Sequence, residues 1–297
     1  VSAPPRPLEL SRLAARHLTE KGVEDGRLDA ELLLAHVLGV KRLDLYLQFE
    51  RPLEPAEVGA YREAVRRRAH REPLQYITGE AAFRELTLGV DPRVLIPRPE
   101  TEVLVGEVLR WTAGQGLSDP VALDLGTGSG AIALALLDEG PFRRVVATDP
   151  SADALDVAFA NAARTGLSDG IELRAGGLYD PIGDGERYDV IVTNPPYVAD
   201  RERDALMPEV RDHEPGAALF AGADGLALIR PIVHGAPAHL VGGGLLAIEI
   251  GLGQAEAVTA LMREAGFAAP RVVRDLAGHD RVVIATYDGA QRAEGAE

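Results

Sequence analysis

From Val121 to the end of the chain, short apolar runs alternate with segments of helical period, and no other feature constrains the fold as strongly. Residues 121–124, 145–148, 171–174, 188–193 and 245–250 read as strands, with helical patterns over 131–137, 151–165, 226–236 and 254–265. Strands joined through crossover helices run parallel, and the fixed hand of the crossover puts helices on both faces of the sheet. Two last apolar runs, 271–274 and 281–286, have no helix between them. They are expected to add an antiparallel strand at the sheet edge. The expectation is an α/β fold with a Rossmann-like sheet of seven strands, the last antiparallel.

The chain upstream is different. Apolar spacing is helical from Leu8 to about residue 69, with leucines clustered in residues 29–38 before Gly39, a natural C-cap, and with Pro55 opening a further helix. We expect a loose Pro-rich start over residues 1–7 and a small helical bundle over 1–73. The bundle carries the densest basic cluster of the chain: Arg62, Arg66, Arg67, Arg68, His70 and Arg71. Such a cluster is either a solvated helix face or a contact surface for an acidic or RNA-associated partner. Residues 74–98 alternate and turn at Asp91-Pro92, which predicts a linking β-hairpin. Pro99 followed by Glu100 and Glu102 starts a helix. The sheet domain is therefore expected over 99–288, with a polar, disordered tail over 289–297.

Composition excludes several classes. The chain of 297 residues has a formal net charge of -15, which argues against gripping nucleic acid through bulk electrostatics. It has no cysteine, so disulfides, thiolate metal sites and a cysteine nucleophile are absent. No apolar run reaches the length of about 18 residues that spans a bilayer, and no secretory pattern is seen at the start. A cytoplasmic protein without a metal site is expected.

Two motifs carry chemistry. The first strand runs into Asp124-Leu125-Gly126-Thr127-Gly128-Ser129-Gly130. Glycines here let a ligand approach the backbone at a helix N-terminus. The spacing admits a nicotinamide dinucleotide, and it also matches the acid-x-Gly-x-Gly-x-Gly loop that suits S-adenosylmethionine. Asp149, ending the second strand, would hold ribose hydroxyls of either. The fourth strand discriminates, because it ends in Asn194-Pro195-Pro196-Tyr197. Each proline lacks an N–H and keeps the preceding residue extended. By itself this is either a turn that breaks the strand or a rigid frame of acceptors, followed by a ring, for a flat substrate bearing an NH2 group. A nicotinamide enzyme has no use for such a frame, whereas a methyltransferase acting on a planar nitrogen does. The nitrogen lone pair of an amide is tied up in resonance on the scale of the ~18–20 kcal/mol rotation barrier. The Asn194 oxygen and the Pro195 carbonyl would hold the NH2 group and strengthen as charge builds, while Tyr197 stacks on the planar group. No histidine is needed as a base, so His213 and His234 are not nominated. The motif serves adenine and glutamine alike.

With these motifs the chain resembles the PrmC/HemK family, the protein-glutamine N5-methyltransferases of peptide chain release factors. The resemblance runs through residues 29–38, 73–80 and 94–102, the Asp124 loop, Asn194–Tyr197, Glu214-Pro215, Asp224-Gly225, Glu249-Ile250-Gly251 and residues 275–280. It implies a class I S-adenosylmethionine-dependent methyltransferase whose helical domain helps to recognise class 1 release factors, acting as a monomer with neither DNA nor membrane as partner. Carried over by position, the cofactor contacts are Gly126, Thr127, Gly128, Ser129, Gly130, Asp149 and Asn194; Asp124 of the loop pattern and Leu178 beside the adenine are expected with them. The catalytic residues are Asn194, Pro195 and Tyr197, and the glutamine would also meet Pro196, Arg98 and Pro99. One stretch departs from the family. An acidic-aromatic segment usual near the adenine reads Gly176-Gly177-Leu178-Tyr179 here. The rival readings are a DNA adenine-N6 methyltransferase and a non-catalytic ribosome- or RNA-binding module.

Overall fold

Prolines and glycines set the helix ends in the computed structural model, which describes residues 5–289. In chain order the elements of the first part are α1 (Pro7–Glu20), α2 (Gly26–Leu38), α3 (Asp44–Leu47), α4 (Pro55–Ala69), α5 (Leu74–Thr78), β1 (Glu80–Phe83), β2 (Leu86–Gly89) and α6 (Pro99–Gln115). The remainder comprises β3 (Val121–Leu125), α7 (Ala131–Glu139), β4 (Arg144–Asp149), α8 (Ala152–Thr165), β5 (Ile171–Ala175), β6 (Tyr188–Thr193), α9 (Pro208–His213), α10 (Ile229–Gly235), β7 (Leu240–Glu249), α11 (Ala255–Glu264), β8 (Phe267–Arg274) and β9 (Asp280–Tyr287). The tail expected over 289–297 lies outside the described residues except for Gly289.

The chain divides into two units. One comprises residues up to Glu80 together with Met207–His213, the other Ala81–Leu206 and Glu214 onward. The first unit is helical. Its α1 begins at Pro7, inside the stretch expected to be loose. Pro55 and a capping box between Glu54 and Glu57 open α4, and Gly39, in the left-handed region, closes α2. Leu18, Leu33, Leu34, Leu45 and Tyr61 fill the core, and the Tyr61 hydroxyl donates to the Ala30 carbonyl at 2.9 Å. Residues 74–78, expected as part of the hairpin, form the single-turn helix α5 instead, because Pro73 starts the turn and Gly79 at φ 76° ends it.

The basic cluster resolves largely into internal pairing. Arg68 is buried and bonds both Asp29 (2.6 Å) and Glu209 (2.9 Å). Arg71 holds the second Glu209 oxygen at 2.6 Å, Arg67 pairs with Glu72, and Arg66 pairs with Glu63. Glu209 sits on α9, so a segment that follows β6 in sequence is anchored inside the helical unit. Burial works against its charge, but Arg71 and Arg68 outweigh burial and hold the carboxyl below its ordinary value.

The second unit is a seven-stranded sheet of order β5-β4-β3-β6-β7-β9-β8. Strands β3 to β7 pair in parallel, and β9 is antiparallel to both of its neighbours. The antiparallel strand is therefore internal, not at the edge as expected. The physical reason is visible in burial: the middle of β9 (Val282, Val283, Ile284, Ala285) is buried throughout, while β8 alternates and takes the edge. Successive strand residues face opposite layers. Ala122 and Val190 join one core with α6 and α7, and Leu123 and Ile191 join another with α10 and α11. The hairpin β1–β2 adds Phe83 and Leu88 to the first layer. The chain runs outward from β3 through β4 to β5, then returns to start β6 on the other side of β3. That reversal opens a crevice beyond the carboxyl ends of β3 and β6.

Glu209→Ala leaves Arg68 buried with one partner fewer and is expected to destabilise the helical unit by about 3–5 kcal/mol. Hydrogen exchange across α2 and α4 in urea reads this directly, and wild-type exchange rates in the variant would show that the network adds no stability. Because the folded Glu209 carboxyl lies below its ordinary 4.5, its contribution is present above that pH and is lost as pH falls below it.

Candidate active site

The crevice holds a cavity of about 270 Å³ in the second unit. Its floor is the turn after β3. Gly126 (φ 74°) and Gly128 (φ 55°) adopt left-handed conformations, and a Cβ on either would project into open space. A side chain there would fill the cradle and strain the backbone. The turn is held from below, where the Gly126 and Thr127 N–H groups both donate to the Thr148 carbonyl at 2.9 Å. Asp149, at the end of β4, accepts from Gly128 N–H and from Ser151 N–H, each at 2.9 Å. Its carboxylate thus positions the loop while lining the cavity.

The expected cofactor residues divide into two groups. Gly126, Thr127, Gly128, Ser129, Asp149, Leu178 and Asn194 line the cavity. Asp124 and Gly130 do not. Asp124 is fully buried and accepts from the Thr127 hydroxyl at 2.7 Å, which shapes the turn from behind. Gly130 (φ 82°) lets the start of α7 approach α8, since a Cβ would lie 3.4 Å from that of Ala158. In the divergent stretch, Gly177 and Leu178 reach the cavity. Leu178 adopts φ 48°, and the Tyr179 ring turns away to stack on His239 at 4.8 Å.

The opposite wall combines Asn194, Pro195 and Pro196 with Pro97, Arg98 and Thr101. Two expected substrate residues are placed elsewhere. Pro99 is the first residue of α6, after the N-cap Arg98, and is not among the lining residues. Tyr197 packs its ring against the core of the second layer, with its hydroxyl donating to Glu249 Oε1 at 3.2 Å. The ring is not presented to the cavity as a stacking surface.

Three residues that the resemblance covers had been given no role in the site. Glu214 is buried, accepts from Ile96 N–H at 3.2 Å and pairs with Arg98, fixing the loop that forms the wall. Thr101 donates to Glu249 Oε2 at 2.7 Å and accepts from Asn194 Nδ2 at 3.0 Å. Glu249 is fully buried at the end of β7. A signal existed for the last one, a lone acid in the apolar run 245–250, where an unpaired charge is not tolerated. For Thr101 the only sign was its place in the stretch 94–102 that carries the family resemblance.

Burial pushes two carboxyls up to about 7: Asp124, from an ordinary 3.8, and Glu249, from 4.5 against hydrogen bonds from Thr101 and Tyr197. Burial also raises Asp149, opposed by the Ser151 and Gly128 N–H groups. Both Asp124 and Glu249 bind a proton more readily when folded. The stability they contribute is complete below their ordinary values and is lost as pH rises toward about 7. Asp124→Asn is therefore expected to flatten the decline in unfolding free energy between pH 4 and 7, measured by urea titration on either side. An unchanged slope would mean that Asp124 keeps its charge in the folded protein.

A sheet of this order, with a glycine turn, an acid on the adjacent strand and an Asn-Pro-Pro stretch lining one cavity, is that of an S-adenosylmethionine-dependent methyltransferase. Solved structures agree on the fold. The human METTL16 catalytic domain, solved with an RNA hairpin, matches with TM-score 0.55 and 18% identity over 70% of this chain and 77% of that one. The 16S rRNA methyltransferase of T. thermophilus, solved with AdoMet and guanosine, matches with TM-score 0.51 and 21% identity over 70% and 49%. Two family models match in sequence, a PrmC N-terminal domain over residues 9–79 and a methyltransferase small domain over 105–210. The release factor glutamine methyltransferase of Geobacter sulfurreducens is 46% identical over 267 residues, covering 90% of this chain and 92% of that one. The chain belongs to the release factor glutamine methyltransferase family. Among the described residues no helix is long and apolar enough to cross a membrane, and no cluster of acidic or histidine side chains is arranged to hold a metal.

Proposed function

We propose that this enzyme transfers a methyl group from S-adenosylmethionine to the side-chain amide nitrogen (N5) of the glutamine in the Gly-Gly-Gln loop of class 1 peptide chain release factors. The observation that carries this reading is that the bare-backbone turn and the Asn194-Pro195-Pro196 wall line one cavity. The residues present fit the cofactor. Gly126 and Gly128 leave room against the backbone, and Asp149 offers a carboxylate beside them that suits vicinal ribose hydroxyls. When bound, the cofactor supplies an electrophilic methyl group.

The chain does the rest by holding the acceptor. Asn194 Nδ2 is committed to Thr101, so the side chain offers its oxygen to the substrate NH2. Prolines at 195 and 196 bring carbonyls without competing N–H donors. Positive charge building on the acceptor nitrogen during methyl transfer would strengthen its bonds to the Asn194 oxygen and the Pro195 carbonyl, and the methylated nitrogen would then give up its proton to solvent. The Glu214–Arg98 pair keeps the facing wall in place. The helical unit would select the protein substrate, and the enzyme would work as a cytoplasmic monomer. A duplex DNA substrate is disfavoured by the net charge of -15 and by a basic cluster that is largely consumed in internal pairs.

Asn194→Ala is expected to lower turnover on release factor by roughly 10²–10³, the scale for losing one preorganised hydrogen-bonding partner. Labelled methyl transfer to purified release factor, to the same factor with its loop glutamine changed to alanine, and to duplex DNA measures both points. Label on the alanine form, or on DNA, would reject the glutamine reading.

A further inference from the structure

Glu249 is linked to both ends of the Asn-Pro-Pro-Tyr stretch, to Tyr197 directly and to Asn194 through Thr101, without lining the cavity itself. Its Oε2 accepts from the Thr101 hydroxyl at 2.7 Å, and Thr101 Oγ1 in turn accepts from Asn194 Nδ2 at 3.0 Å. Its Oε1 accepts from the Tyr197 hydroxyl at 3.2 Å. Three elements converge to make this possible. Thr193 and Ile248 are register partners of β6 and β7, so Asn194 and Glu249 follow side by side, and Thr101 enters from the first turn of α6. A carboxyl with no exposure is costly to bury, and here each of its oxygens has a hydroxyl partner.

The direction of the bonds matters more than their number. A hydroxyl has one proton. While Glu249 Oε2 carries no proton, as when the carboxyl is ionised or holds its proton on the Oε1 that faces Tyr197, Thr101 gives its proton to Oε2, and toward Asn194 its oxygen can only accept. Asn194 must therefore turn its NH2 to Thr101 and its oxygen the other way. A primary amide is nearly symmetric in shape, and without this constraint it would face a substrate NH2 with either a matching acceptor or a clashing donor.

We propose that Glu249 and Thr101 are positioning residues that fix the side-chain amide of Asn194 with its oxygen toward the acceptor nitrogen, and that Tyr197 serves the same clamp through its hydroxyl instead of stacking on the substrate. The proposal rests on the reading of Asn194 as the group that holds the substrate NH2. Neither Glu249 nor Thr101 needs to exchange a proton with the substrate.

The sequence offers an unusually direct test, because the chain contains two asparagines, Asn161 and Asn194. Selective ¹⁵N-asparagine labelling thus yields two side-chain NH2 signals. Asn161, which donates to the Gly89 and Ser129 carbonyls, is the internal reference. In Thr101→Val, which keeps the shape and removes the hydroxyl, the Asn194 signal is expected to shift and lose protection from exchange while that of Asn161 stays. Thr101→Ser is expected to restore it. In parallel, kcat on release factor is expected to fall about 10- to 100-fold in Thr101→Val, with KM for S-adenosylmethionine within about twofold of wild type, and to recover in Thr101→Ser. An unchanged Asn194 signal or an unchanged kcat in Thr101→Val overturns the relay, as does a serine variant that rescues neither. A wild-type chain that labels no release factor would overturn the proposed substrate instead, and the asparagine spectrum alone would then decide the relay.

Discussion

The parallel pairing of β3 with β6 is the constraint on which the site depends. Leu125 and Thr193 are register partners, so the residues that follow them, Gly126 and Asn194, emerge side by side at the same end of the sheet. They lie 68 positions apart in the chain, the separation of Thr193 from Leu125 whose carbonyl its hydroxyl bonds at 2.7 Å. Because the chain reverses its direction of travel across the sheet between these two strands, no crossover helix fills the space above them. The cavity is a consequence of topology, and the two motifs are its walls for the same reason.

Around that pairing, buried carboxyls act as fasteners. Asp149 ties the glycine turn to β4, Glu214 ties the Pro97–Arg98 wall, and Glu249 ties both ends of the Asn-Pro-Pro-Tyr stretch. Each is buried, and each is met by N–H or O–H donors or by a guanidinium. A carboxylate that is satisfied in this way fixes geometry in several directions at once, because its two oxygens offer lone pairs in one plane. Hydrophobic packing alone is not directional enough to set the face of an amide or the path of a turn.

Much of this was legible in the residues. The strand–helix alternation specified the sheet, and the glycine turn, Asp149 and Asn194-Pro195-Pro196, each expected at a ligand site, line one cavity. Elsewhere local pattern was misleading. The run of arginines from Arg62 to Arg71 looks like a surface, yet Arg68 is buried, because its partners Asp29 and Glu209 lie 39 and 141 residues away. Tyr197 looked like a stacking platform because it follows the prolines. Its ring turns toward the second core layer, where Glu249 receives its hydroxyl.

The sequence by itself determined the class of fold, the chemistry of the loop and the kind of nitrogen that the wall suits, since these depend on period, backbone restriction and residue type over short stretches. Only the tertiary structure decided which of those residues face the cavity and which hold others in place. It also decided that β9 would be interior, and that Thr101 would bridge Asn194 and Glu249. The reason is the same in each case. The side-chain partners come from α6, β6 and β7, up to 148 residues apart, and the direction of a hydrogen bond is set by whichever group the fold delivers to it.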